Sequence, residues 1–274
     1  VPYRYCMQQL IDSHSHLDAH AFDADRAQVL ARADAAGVIA QIVPATTAAS
    51  WPALGSLCAS QTSLHAAYGL HPMFLGAHEQ RHLQALETLL DLATPCVAIG
   101  ECGLDHFMPD IDHARQQFFF DAQLAIAAQR DLPVIVHARR ALDAVLANLR
   151  RHPDLRGVVH SFSGSAQQAA QLWDRGFMLG IGGPVTYARA QRLRGIVAHM
   201  PLQYLLLETD SPDQPDSAWR GQRNEPARLP RILDEIAALR GQDREEIAAA
   251  TRDNASSLFG LSVDPPCAPA LDDP

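Results

Sequence analysis

Eight short apolar runs, separated by stretches with helical spacing, constrain this 274-residue chain more than any other feature. The runs are Leu10–Asp12, Val38–Val43, Leu64–Tyr68, Cys96–Gly100, Pro133–Val136, Gly157–Val159, Phe177–Ile181 and Tyr204–Leu207. They are too short for helices, and their continuous apolar character marks strands buried on both faces, as in parallel sheets. Residues 111 to 130 read as a helix, with Ile111, Phe118, Phe119, Ala122, Leu124, Ala125 and Ala128 forming its apolar side. Ala141–Leu149 and Leu229–Leu239 repeat the three- and four-residue spacing, and Gly241 stops the second of them. Asp243, with Glu246 three residues on, caps a last helix running to about Leu258. Eight β-then-α units predict an α/β fold, a (β/α)8 TIM-like barrel. Periodicity does not show closure, so a doubly wound open sheet is the alternative. No Pro/Gly/Ser-rich linker interrupts the chain, so residues 1–262 are expected to form one catalytic domain. Residues 263–274, rich in Pro and Asp, are expected to be a disordered tail.

Composition narrows the chemistry. A net charge of −9 argues against a protein that coats duplex nucleic acid through a basic face. It leaves room for an enzyme that holds a few phosphates through metal ions. All 22 basic residues are arginine, so no Schiff-base, P-loop or carboxylated lysine can exist here. Cys6, Cys58, Cys96, Cys102 and Cys267 are odd in number and lack CxxC spacing, which disfavours a disulfide framework or zinc ribbon. No apolar stretch reaches the roughly 18 residues of a membrane span. The first residues lack the basic and apolar regions of a signal peptide. The expectation is a cytoplasmic protein with no membrane partner.

The polar residues fall where a barrel needs them. His14 and His16 follow the first strand, Glu101 the fourth, His137 the fifth and His160 the sixth, and Asp210 lies just past the eighth. In a barrel these C-terminal strand ends converge on the rim that carries the active site. The His14-x-His16 pair puts both rings on one side of an extended chain. Imidazole with carboxylate suits Zn, Mn, Fe or Mg rather than a calcium cage. Four histidines and two carboxylates exceed the needs of one tetrahedral ion. They fit two divalent ions about 3.5–4 Å apart. Glu101, on a centrally placed strand, is the expected bridge, in a chain with no lysine to do that work. Alternation turns Cys102 away from Glu101, and His160 is better used as a ligand than as the base for a Ser161 nucleophile. Asp210 can touch a metal and accept a proton from water, while Glu208 on the same face would order a neighbour. His71, after the third strand, faces the rim either as a substrate contact or as a structural hydrogen-bond partner. Arg139 and Arg223 sit in rim loops and suit a phosphate or carboxylate. The remaining histidines, His78 and His106 among them, are expected at the surface.

Seven segments together resemble the TatD family of metal-dependent hydrolases. They are Ile11-Asp12-Ser13-His14-Ser15-His16-Leu17-Asp18, Gly69-Leu70-His71-Pro72, Gly100-Glu101-Cys102-Gly103-Leu104-Asp105, Val136-His137-Ala138-Arg139, His160-Ser161-Phe162-Ser163-Gly164, Glu208-Thr209-Asp210-Ser211-Pro212 and Arg223-Asn224-Glu225-Pro226. The resemblance implies a TIM-like barrel of the amidohydrolase superfamily. It implies that His14, His16, Glu101 and Asp210 hold one ion, and that Glu101, His137 and His160 hold the other. It also implies cleavage of DNA phosphodiester bonds, with single strands or ends as substrate and Mg, Mn or Zn as cofactor. The expected catalytic residues are then Asp210 and Glu101, with His71, Arg139 and Arg223 contacting substrate. The same activated water would serve a small amide or ester, or an aminoacyl ester on RNA. A metal-stabilised partner protein without turnover is the remaining alternative.

Overall fold

The computed structural model describes residues 9–92, 95–107 and 109–262. The tail expectation for residues 263–274, and Cys6 and Cys267, fall outside them. Eight strands form one parallel sheet in sequential order: β1 (Leu10–Asp12), β2 (Val38–Pro44), β3 (Leu64–Tyr68), β4 (Ala98–Asp105), β5 (Val134–Arg139), β6 (Gly157–Val159), β7 (Phe177–Ile181) and β8 (Leu205–Leu207). The helices are α1 (Arg26–Ala35), α2 (Trp51–Ala59), α3 (Gln80–Asp91), α4 (His113–Gln129), α5 (Leu142–Leu149), α6 (Ala166–Trp173), α7 (Gln191–His199), α8 (Leu229–Arg240) and α9 (Arg244–Phe259).

The barrel, not the open sheet, is the fold, and the seam between β8 and β1 decides it. Ser13 N–H donates to the Leu207 carbonyl at 2.9 Å, Asp210 N–H to the His14 carbonyl at 2.8 Å, and His16 N–H to the Ser211 carbonyl at 2.7 Å. The buried Asp12 carboxylate completes the join. It accepts from Thr209 N–H at 2.9 Å and from the Thr209 hydroxyl at 2.6 Å. A side chain here does work that a backbone carbonyl does in a regular ladder.

Two strands outrun the apolar runs that predicted them. β4 continues five residues past Gly100, and β5 continues to Arg139. Polar residues end the hydrophobic signal there, yet the pleat continues, and β4 stays paired with β5 through Asp105↔Arg139. Glu101 and His137 therefore sit within strands, not after them. Gly103 makes this close pairing possible. Its φ is +142°, and a Cβ there would lie 2.1 Å from the His137 carbonyl oxygen.

The barrel interior is filled by small and branched residues, among them Ile11, Ala40, Ala67, Ala98, Ile135 and Leu206. Leu258 and Phe259 of α9 pack against this inner cluster. Helix α9 starts where predicted: the Asp243 carboxylate accepts from Glu245 N–H at 2.8 Å and Glu246 N–H at 3.2 Å. The larger core lies between the strands and the helix ring.

Candidate metal centre

All six expected ligands meet at one end of the barrel around a single carboxylate. Glu101 is fully buried, and its two oxygens face different partners. Oε2 lies 3.1 Å from His14 Nε2 and 3.4 Å from His16 Nε2. Asp210 Oδ1 approaches the same two nitrogens at 3.6 and 3.7 Å. Oε1 lies 2.7 Å from His160 Nε2 and 3.0 Å from His137 Nδ1.

These donors crowd one another in a way that protons alone do not resolve. His14 Nε2 and His16 Nε2 are 3.2 Å apart, both directed at Glu101 Oε2, and that oxygen has no hydrogen-bond partner. On the other side, His137 Nε2 is 3.0 Å from Asp105 Oδ2. Placing the proton on that bond leaves Nδ1 presenting a lone pair to Glu101 Oε1 and to His160 Nε2, which lies at 3.3 Å. Convergent lone pairs on buried nitrogen and oxygen are what a divalent cation requires. The overlapping groups His14–His160–Asp210, His14–His16–Glu101 and His71–Glu101–His137 each bring donor atoms close enough to hold an ion.

The electrostatics carry the same message. Burial pushes the Glu101 carboxyl up, but the facing imidazoles of His160, His71 and His14 outweigh it and hold it well below the usual carboxylate range. Burial opposes charge on His160 and His16, yet Glu101 raises them to about 10 and about 9. Burial also raises the Asp210 carboxyl, with His160 and His16 pulling against it. The pocket demands positive charge beside Glu101.

Other side chains brace the centre. His71 accepts Met73 N–H at Nδ1, 3.0 Å, so its Nε2–H donates to Glu101 Oε1 at 2.8 Å. Burial lowers its pKa to about 4, and the ring stays neutral. Of the two roles open to His71, the structural bond is present, and the ring also lines the cavity. Glu208 Oε1 accepts Ser161 N–H at 2.5 Å, and its carboxylate fills the space where Gly180 lacks a side chain. Asp210 sits at φ +55°, held by its bond to the His14 carbonyl and by the Gln214 amide. Left-handed backbone at a non-glycine residue is costly and clusters at functional sites.

The centre opens into a cavity of about 1070 Å³ lined by His16, His71, Glu101, His137, His160 and Asp210, with Arg139, Arg189 and Arg192 at its mouth. Met73 and Phe74 form an exposed apolar edge on the His71 side.

Three expectations need correction or completion. Arg223 is not among the cavity-lining residues. Its guanidinium donates to both Asp25 oxygens at 2.7 Å and to the Ala21 carbonyl at 2.6 Å, and lies over the Phe22 ring. Its donors are spent on tying the loop before α8 to the segment before α1. His78, expected at the surface, is buried and donates from Nε2 to the His71 carbonyl at 2.8 Å. Asp105 joins the site unexpectedly, through its carboxylate behind His137. Its even spacing from Glu101 along one strand was the available signal. Cys102 does point away, toward the Ile135 carbonyl, and burial pushes its thiol up.

Fold and donor set together define a metal-dependent hydrolase built on a TIM-like barrel. The chain belongs to the TatD family: the TatD related DNase family matches residues 11–260. Among its relatives, an uncharacterized metal-dependent hydrolase, YjjV, from Escherichia coli K12 is 42% identical over 255 residues, covering 92% of this chain and 98% of the relative. A 3'-5' ssDNA/RNA exonuclease, TatD, from Erwinia amylovora is 36% identical over 265 residues, covering 92% of this chain and all of the relative (100%). The crystal structure of Escherichia coli YjjV superposes with a TM-score of 0.90 at 40% identity, covering 93% of this chain and 100% of that one.

Proposed function

We propose that this protein is a two-metal phosphodiesterase acting on single-stranded DNA or on DNA ends. The observation that carries the reading is the division of Glu101: one carboxylate oxygen faces His14 and His16, the other His137 and His160. One ion would be held by His14, His16, Glu101 and Asp210, and the second by Glu101, His137 and His160. Mg, Mn or Zn, if bound there, would lower the pKa of water toward about 7 and offset charge on the ester oxygens.

The chain's own residues do the rest. Asp210 takes the proton of the attacking water, a role suited to a carboxyl that burial raises above its ordinary value. Asp105 holds His137 in the tautomer that turns Nδ1 inward. Arg139 offers a guanidinium to a phosphate beside the centre, and the neutral His71 keeps Glu101 oriented. The exonuclease name of the Erwinia relative supports nucleic acid as the substrate class. Among the described residues no helix is long and apolar enough to cross a membrane. Cys58, Cys96 and Cys102 are free thiols, which supports work in the reducing cytoplasm.

Protein loaded separately with Mg, Mn and Zn is to be assayed on single-stranded DNA, RNA, a minimal diester, and a panel of amides and carboxylic esters. Turnover of the phosphodiesters is the expected result. Turnover confined to the amides or esters, or bound metal with no turnover at all, would overturn the assignment.

A further inference from the structure

Many arginines of this acidic protein meet a carboxylate, and those around the mouth mostly do not. On the outer surface Arg130, Arg156 and Arg231 each meet a carboxylate, at 2.6, 2.5 and 2.9 Å. Around the mouth, Arg140, Arg189 and Arg192 form no ion pair among the described residues, and all are exposed, while the exposed Arg139 stands close enough to Asp105 to favour its charged form. Two of them share one aromatic ring. The Arg139 guanidinium lies 3.7 Å from the centroid of Phe107, and that of Arg140 lies 4.6 Å from it. A ring holds two cations close together without neutralising either.

Arg140 and Arg192 converge on a second cavity, of about 550 Å³, together with His106. It shares Ala138, Phe162, Ser163 and Arg192 with the wall of the larger one, so the two are contiguous. The acidic side chain in its lining is Asp143, whose Oδ1 accepts from Gln168 Nε2 at 2.7 Å. Arg192 donates to the Ser163 carbonyl at 2.7 Å through Nη2, which leaves its other N–H groups available.

We propose that this smaller cavity is a second anion subsite, taking the phosphodiester next to the one at the metal centre in a single-stranded polynucleotide. The inference rests on the phosphodiesterase reading above and adds a direction. The chain leaves the centre past His137 and His160 toward the ends of β5 and β6. Guanidinium forks match phosphate oxygens in pairs. The exposed ring of Phe74, 47% accessible and in the wall of the larger cavity, is a platform for an unstacked base. The subsite makes the enzyme sense chain length: an oligonucleotide fills both cavities, a minimal diester only one.

The test compares Arg140→Gln and Arg192→Gln with wild type on a short single-stranded oligonucleotide and on bis(p-nitrophenyl) phosphate. Arg140 makes no side-chain hydrogen bond among the described residues and meets only the Phe107 ring; a melting curve checks that both variants fold. Loss of a charged hydrogen bond predicts about a tenfold fall in kcat/KM for the oligonucleotide per variant, carried by KM, with the minimal diester changed by less than about twofold in Arg140→Gln, whose side chain lies outside the larger cavity. Equal losses on both substrates, or no loss on either, overturn the proposal. A free phosphate occupying the cavity would leave wild-type kcat/KM independent of chain length, which also overturns it. Binding of a phosphorothioate oligonucleotide, followed by anisotropy across a salt series, separates this inference from its parent. Each variant should flatten the salt slope by roughly 0.7. If wild type cleaves no phosphodiester yet shows this binding behaviour, the catalytic reading fails and the subsite stands. If it binds no oligonucleotide, the subsite fails too.

Discussion

Glu101 divides the centre into two halves that are held by different means. The β5–β6 half stands on regular strand pairing: Val134, Ile135 and Val136 of β5 are in register with Gly157, Val158 and Val159 of β6. There His137 is pinned from behind by Asp105 at 3.0 Å. The β1–β8 half stands on the seam, where Asp12, Thr209 and three backbone bonds join the first strand to the last. The outer nitrogens of His14 and His16 have no hydrogen-bond partner, and in the other half neither does that of His160, so His137 alone has a carboxylate behind it. One half is braced by a carboxylate behind a ligand. The other is braced through the backbone that carries the ligands. Loss of one side chain should therefore act locally in the first half and through barrel closure in the second.

The largest effect is expected at the residue common to both halves. Glu101→Gln keeps the shape but removes the shared charge. Bound metal, measured by elemental analysis, should fall at both positions, and kcat/KM should fall by more than about 10⁴-fold, beyond the loss of a general base alone. Next is Asp210→Asn, for which kcat should drop about 10²–10⁴-fold with metal still bound. Full turnover with cations in place would remove Asp210 as the base.

Asp105→Asn sharpens the contrast between the halves. Calorimetric titration should show one ion weakened by about 10–100-fold and the other retained; equal weakening of both would dissolve the distinction. Asp12→Ala should act through the seam, leaving Thr209 N–H buried without its acceptor. The cost is about 1–3 kcal/mol, seen as a lower melting temperature together with weaker metal binding at the β1–β8 half.

The smallest effect concerns the Arg223 clamp. Arg223, with Arg32, holds the Asp25 carboxyl below its usual 3.8. A carboxyl lowered by folding stabilises the native state above its unfolded pKa and loses that contribution as pH falls through the folded value. Arg223→Gln should melt slightly below wild type at pH 7, and the gap should close in acid. A gap that widens in acid would contradict the pairing.

The barrel and the convergence of the six candidate ligands were legible because both follow local rules. Buried parallel strands leave unbroken apolar runs, and ligands at their ends converge whatever their distance along the chain. β4 and β5 were cut short at Gly100 and Val136 because hydrophobicity ends where the rim begins, although the pleat runs on to Asp105 and Arg139. Arg223 was misplaced for a different reason. Its partner Asp25 lies 198 residues away, and nothing near either residue announces the other. His78 looked like a surface histidine because its acceptor, the His71 carbonyl, belongs to a loop whose path has no periodicity.

The seam also sets an order in time. A ribosome delivers β1 early and β8 late, and domains form as their last elements arrive. His14 and His16 must then wait, while β2 to β7 are made, for Asp12 to find Thr209 and for Asp210 to dock on the His14 carbonyl. A chain that stops short of residue 205 carries five of the six ligands but cannot close the joint that aligns them. The nascent polypeptide is thereby kept from bringing the six candidate ligands together until β8 has been made.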